Sequence, residues 1–171
     1  MIGSVIISEC FSRGTVSAKN YSGGLIGAMA WGDVNYCYST SDVSSNTYSL
    51  PSCMGGLIGH LGLWVNVGYC YALGDVVING QTTGGLIGVK GSNCYVGTSL
   101  YKSKKSDGTD NANNDGTIIG SGYIIDDLKL FDTYDSNGWI FGIKSSGEKW
   151  NQDASENNSF PFLNNNPPPP Q

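Results

Sequence analysis

Gly23-Gly24-Leu25-Ile26-Gly27 recurs unchanged as Gly55-Gly56-Leu57-Ile58-Gly59 and as Gly84-Gly85-Leu86-Ile87-Gly88. Between the copies runs a second element, a cysteine followed by an aromatic and a small residue. It reads Cys10-Phe11-Ser12, Cys37-Tyr38-Ser39, Cys70-Tyr71-Ala72 and Cys94-Tyr95-Val96. The two elements alternate strictly, which makes the chain an internal repeat. The glycine pairs start at 23, 55 and 84, so the period is 32 and then 29 residues. Units of that length cannot bury an apolar face alone and must stack on their neighbours.

Working outward from the motif, its glycines permit positive φ and close backbone approach, while Leu and Ile supply strand. Counting from each cysteine, the residues two and six further on share its face: Ser12 and Val16, Ser39 and Val43, Ala72 and Val76, Val96 and Leu100. The aromatic after the cysteine points to the other face. The pattern predicts two ladders, one of small buried side chains and one of the rings of Phe11, Tyr38, Tyr71 and Tyr95. Apolar runs are short, rich in Val, Ile and Tyr, and broken by Gly, Asn and Ser. The expected fold is all-β, a parallel β-solenoid of about three to four coils over residues 1–101.

From Lys102 the pattern changes. A polar loop leads to resumed strand character at Ile118 to Tyr123 and a short helix at Ile124 to Leu130. The segment with Tyr134, Trp139, Phe141, Trp150 and Phe160 to Leu163 reads as an aromatic cap closing the last coil, giving a terminal unit over 102–163. Residues 164–171, with four consecutive prolines, read as a polyproline II linker.

Composition narrows the function classes. Charged residues are 13% of the 171, against about a quarter in ordinary domains. A net charge of -5 argues against nucleic acid and anionic lipid as partners. No apolar run reaches the roughly 20 residues of a membrane-spanning helix, so membrane insertion is not expected. The N-terminus opens on half a repeat without a signal segment, and we expect earlier repeats upstream. One histidine and no CxxC leave no zinc pattern, and no cofactor is expected.

Several side chains are candidates for contact. Tyr38 and Tyr71 could stack sugar rings, or could simply stack on each other and shield the sheet. Trp31 and Trp64 lie in loops of variable length after the glycine motif, where they serve either as a contact surface or as local plugs. Asp107, Asp110 and Asp115 fall within ten residues, but the spacing fits no EF-hand loop and a solvated polar loop is the simpler reading. Cys10, Cys37, Cys70 and Cys94 suit small buried hydrophobes and are expected as reduced thiols. Asp33, Asp42 and Asp75 are scattered, and basic residues avoid the repeats, so no catalytic constellation emerges.

Gly55–Gly59 followed by Cys70-Tyr71-Ala72-Leu73-Gly74-Asp75-Val76 resembles the GLUG repeat family. Gly23–Gly27 with Cys37 to Val43 is similar except for Ser41 in place of a glycine, and the third copy departs after Cys94-Tyr95. The closing stretch with Trp139, Trp150 and Phe160-Pro161-Phe162-Leu163 also resembles the unit that ends such arrays. The resemblance implies a secreted or surface-attached bacterial protein, often adhesin-like, in which catalytic residues belong to other domains. The expectation is therefore a non-enzymatic extracellular module. Its role is either adhesion to a glycan or a host or matrix protein, or a structural spacer whose open ends meet neighbouring repeats or another copy, with a glycan-active enzyme the third alternative.

Overall fold

Strands of two to four residues form wherever Val, Ile, Tyr and Thr cluster between glycine, asparagine and serine breaks. The structure is a computed structural model and describes residues 4–45, 53–77, 82–111, 120–142, 148–153 and 157–167. The first repeat supplies β1 (Val5–Ser8), β2 (Phe11–Ser12), β3 (Thr15–Ser17), β4 (Tyr21–Gly23) and β5 (Ile26–Met29). The second supplies β6 (Gly32–Asn35), β7 (Tyr38–Ser39), β8 (Asp42–Ser44), β9 (Cys53–Gly55) and β10 (Ile58–Leu61). The third supplies β11 (Val65–Gly68), β12 (Tyr71–Ala72), β13 (Val76–Val77), β14 (Thr82–Gly84) and β15 (Ile87–Lys90). After these come β16 (Tyr95–Gly97), β17 (Leu100–Lys102) and β18 (Ser121–Tyr123). The chain is mostly strand with almost no helix.

Each strand pairs in parallel with its counterpart in the next repeat. The resulting sheets are open, ordered β1-β6-β11-β16, β2-β7-β12-β17-β18, β3-β8-β13, β4-β9-β14 and β5-β10-β15. Registers hold residue for residue: Ile7 faces Val34 and Val34 faces Val67, while Phe11, Tyr38 and Tyr71 form one row. Alternation along a strand then sends one column of side chains inward. In β11, Val65 and Val67 are buried while Asn66 is exposed. Leu57, Ile58, Leu61, Val65, Val67, Leu86 and Ile87 fill this interior, each burial contributing about 1.5–3 kcal/mol.

The glycines of the motif act through closeness rather than left-handed backbone. A Cβ on Gly56 would lie 2.2 Å from the carbonyl oxygen of Gly85 and 2.9 Å from the Ala72 methyl. Positive φ falls instead just before the cysteine position, at Glu9 (54°), Tyr36 (55°), Tyr69 (52°) and Thr98 (36°). That residue turns the chain from one sheet to the next.

Four expectations need correction. Cys94 does not continue the cysteine row, because Asn66 pairs with Tyr95 and Tyr71 pairs with Leu100. Ser99 takes the row's fourth place, Leu100 the aromatic place, and Tyr101 the place of Ser39 and Ala72. The spacing carries the reason: Gly55 to Gly84 is 29 residues and so is Cys70 to Ser99, whereas Cys94 arrives five residues early.

Second, the C-terminal aromatics lie along the flank of the repeats, not across their end. Tyr134, Trp139, Trp150, Phe160 and Leu163 cluster with Tyr38, Tyr71 and Leu100, and Phe11 of the first repeat packs against the same cluster. Third, the expected helix is a single 3-10 turn, Asp127–Lys129, followed by the short α1 (Phe131–Asp135). Fourth, Asn164 to Asn166 are docked. The Asn164 amide donates to the carbonyls of Gly142 and Glu148, and Asn166 to that of Glu9. The C-terminal unit is further built on a small antiparallel pair, β19 (Trp150–Asn151) with β20 (Phe162–Leu163). Residues 168–171, where three of the four consecutive prolines stand, lie outside the described residues.

Gly56→Ala is expected to force two repeats apart, with a cost of about 3 kcal/mol or more and a drop in Tm of roughly 10 °C. Gly108→Ala is the control, since Gly108 has φ +82° with nothing within 4 Å of an added Cβ. It should cost only the roughly 1–2 kcal/mol of a left-handed side-chain conformation. Thermal melts followed by circular dichroism compare the two directly.

Candidate functional site

The sheet β1-β6-β11-β16 turns Ile6, Asp33, Asn66 and Tyr95 to solvent in a single row. Asn66 Nδ2 donates to Asp33 Oδ1 at 2.8 Å, so a polar pair sits at the centre of this face. Just before β6 and β11, at the corner where the chain enters the sheet, stand Trp31 and Trp64. The register Gly32 to Val65 makes them equivalent positions one repeat apart. Their backbone is pinned in place: Gly32 N–H donates to Trp64 O at 3.2 Å, and Trp64 N–H to Ser92 O. Trp64 itself has φ 55°.

Trp31 is 44% exposed and Trp64 61%. Neither indole makes a ring contact with a described residue. Both indoles thus present part of their surface to solvent. Leu63 and Tyr95 add exposed surface beside them. The arrangement offers aromatic faces flanked by an amide and a carboxylate, the combination that contacts apolar and polar sides of a sugar ring at once. The sequence reading placed both tryptophans in variable loops; it did not foresee that they share one register position, nor that Tyr95 joins their face.

Tyr38 and Tyr71 belong elsewhere. Phe11 stacks on Tyr38 at a ring-centroid distance of 5.0 Å and Tyr38 on Tyr71 at 4.9 Å, nearly parallel, beneath the C-terminal unit. Tyr38 is 1% exposed and Tyr71 is fully covered, which removes both from any contact surface. A second stack, Tyr36 on Tyr69 at 5.4 Å, continues the same buried flank and escaped the sequence reading. The C-terminal unit supplies polar partners as well as rings. Tyr71 Oη donates to Pro161 O at 2.5 Å, Asn157 Nδ2 donates to Tyr71 Oη at 3.3 Å, and Trp139 Nε1 donates to Thr98 O at 3.1 Å.

The cysteine row is structural. Each side chain bonds back to a carbonyl two residues earlier: Cys10 to Ser8, Cys37 to Asn35, Cys70 to Gly68, and Ser99 to Gly97. Cys70 and Ser99 also serve the repeat before them, with Cys37 N–H donating to Cys70 Sγ and Cys70 N–H to Ser99 Oγ. None of the five cysteines forms a disulfide.

Asp107 and Asp110 each have a partner of their own. Asp107 Oδ1 accepts from Thr109 N–H and its hydroxyl, while Asp110 pairs with Lys104. Asp115 lies outside the described residues. Among the described residues, no group of three or more His, Cys, Asp or Glu is placed to hold a metal ion. Asp42 Oδ1 accepts from Asp75 N–H at 2.8 Å. Burial pushes the Asp75 carboxyl up, but bonds from Lys102 and Ser106 outweigh it and hold it below its ordinary value. Both carboxylates are thus engaged in joining neighbouring segments.

No family model, curated protein or solved structure matches this chain.

Burial raises the pKa of the Cys70 thiol and of the Tyr71 and Tyr134 phenols, and that of Tyr38 to about 12. A group whose folded pKa is raised stabilises fully below its unfolded pKa and loses that contribution as pH rises through the window above it. The unfolded values are about 8.5 for Cys and about 10 for Tyr. Cys37, bonded to Cys70, shifts down and opposes its partner, so the loss expected in alkaline solution is that of the buried tyrosines, a fall in Tm above about pH 10 with each group removing about 1.4 kcal/mol per pH unit. Melts from pH 7 to 11 test this, and Tyr38→Phe should reduce the fall above pH 10. A Tm unchanged to pH 11 would contradict the burial of these groups.

Proposed function

We propose that this chain is a parallel β-solenoid module that binds carbohydrate without acting on it, an adhesive element of an extracellular protein. The observation that carries the reading is the corner pair Trp31 and Trp64, two exposed indoles at one register position beside the bonded Asp33–Asn66 pair. Adjacent parallel strands are about 4.8 Å apart, so successive repeats present their aromatic groups at close to the rise of one sugar in an extended chain. Stiff backbone on both sides of the corner keeps the indoles in place before a ligand arrives, which lowers the ordering cost of binding.

The resemblance to GLUG repeats supports the extracellular and adhesive parts of this reading. The engagement of Asp42 and Asp75 in internal bonds favours binding over glycan cleavage, which needs two free carboxyl groups across one bond.

A glycan array with the purified chain, beside a Trp31→Ala/Trp64→Ala variant, tests the proposal. Each tryptophan is expected to behave as a hot spot worth about 2 kcal/mol, so the double variant should lose binding by two to three orders of magnitude. Its circular dichroism and Tm should stay near the parent's, because both side chains are exposed. A chain that binds no glycan leaves the spacer role as the reading. Binding that survives the double substitution places the contact elsewhere.

A further inference from the structure

Three neighbouring strands turn a small grid of residues outward. Alternation puts Trp31, Asp33 and Asn35 on one face along β6 and its approach, with Gly32 and Val34 buried between them. Trp64, Asn66 and Gly68 follow along β11, and Asn93, Tyr95 and Gly97 along β16. Buried Val65, Val67 and Cys94 take alternate places there. The registers of Asp33 with Asn66 and of Asn66 with Tyr95 set the rows. No position of the grid lies in the first repeat, and β1 is already paired with β6 on that side.

Two details open the grid to a flat ligand. Tyr95 lies along its own strand: a Cβ on Gly97 would sit 2.7 Å from ring carbon Cε1 and 2.8 Å from the phenol oxygen. The glycine leaves room for the ring to lie down, and Tyr95 stays 68% exposed. At Gly68 the missing side chain leaves space for Asn35, whose Oδ1 lies 3.0 Å from where a Cβ would stand. The grid thus combines two indoles, a recumbent phenol and the amides of Asn35, Asn66 and Asn93. Asp33 carries its one charge, and no Lys, Arg or His occupies a grid position. Lys90 stands beside the grid, with its ammonium donating to the Cys94 carbonyl at 3.1 Å.

We propose that Asp33 is the specificity-determining residue of this face, which admits uncharged hexose chains and rejects their carboxylated counterparts. The inference rests on the carbohydrate-binding reading above and names its substrate class. A carboxylate set among amides accepts hydrogen bonds from sugar hydroxyls, and a bond to an ionised acceptor is the stronger kind. The bond from Asn66 to Oδ1 fixes the orientation of the group before a ligand arrives. A uronate chain stacked on Trp31 and Trp64 brings a carboxylate on every ring over the same spot. Like charges placed together without a compensating cation suppress the wrong partner. The net charge of -5 acts in the same sense.

Affinities measured in matched pairs test this: oligosaccharides of glucose, mannose and galactose, each beside the chain of the same linkage oxidised at C6 to the uronate. The parent is expected to bind a neutral chain roughly tenfold or more tighter than its uronate partner at low salt. Asp33→Asn keeps an oxygen for the Asn66 amide and removes the charge, so the two members should come within about threefold of each other. Salt screens an exposed charge, so raising NaCl from about 20 to about 500 mM should narrow the parent's gap and leave the variant's nearly unchanged. Lys90→Met should leave the parent's preference in place. Uronates bound as tightly as their neutral partners overturn the proposal while leaving carbohydrate binding standing. A preference that survives Asp33→Asn does the same. A chain that binds no member of any pair removes the carbohydrate reading, and this inference with it.

Discussion

Close approach of backbone at the glycine motif is the constraint on which the rest of this structure depends. An added Cβ would meet a carbonyl oxygen of the neighbouring repeat at 2.6 Å from Gly23 (Leu57), 2.2 Å from Gly56 (Gly85) and 2.4 Å from Gly88 (Gly59). Only at that separation do the strands of successive repeats pair directly, amide to carbonyl, on every side of the interior. Once they do, register is no longer free. A slip of one residue would turn Val65 and Val67 outward and Asn66 inward, and the same would happen in each sheet at once. The repeats lock one another in place through backbone contact, and the side chains then inherit their columns.

Those columns explain the chemistry of the interior. A thiol stacked under the amide of the preceding repeat is both donor and acceptor in a space too narrow for a larger group. Ser99 can replace cysteine there because a hydroxyl makes the same two bonds. The ring column answers a different need. Phe11, Tyr38 and Tyr71 point away from the interior and would leave a broad apolar flank, so the C-terminal segment is laid along it. That segment does not close an end, as its position after the last repeat suggested. It runs back to the first repeat, where Lys149 pairs with Glu9 and Arg13 donates to Asn157. Its rings thereby tie the stack together lengthwise. The Tyr38 hydroxyl is buried without a partner among the described residues, a cost of about 1–3 kcal/mol that ring packing offsets.

Much of this was legible in the residues. The repeat, the all-β character, the inward small and aliphatic column and the Tyr38–Tyr71 stack follow from alternation and spacing alone. The fourth cysteine misled because residue type was matched ahead of distance: Cys94-Tyr95 has the motif's letters, yet Ser99 has its spacing. The placement of Trp31 and Trp64 was half legible. Their distance from the glycine motif is constant enough to imply one position, but only strand pairing across β6 and β11 shows that the insertions after Gly27 and Gly59 are themselves strand and corner. Where the C-terminal rings dock could not be read locally, since Trp139 and Trp150 meet Tyr69 and Tyr38 through folding of the whole chain.

A stack of this kind separates structure from function in a way its sequence makes visible. Positions that hold the repeats together must be alike from copy to copy, because each packs on its own counterpart. Function must then reside where copies differ without disturbing that packing. Trp31 and Trp64 share their corner with Asn93 in the last repeat, while Ile6, Asp33, Asn66 and Tyr95 share one outward row. These side chains stand on the outward face, where the Asn66–Asp33 hydrogen bond joins two of them. Differences between chemically equivalent positions, rather than the repeated motif itself, are what a partner can read.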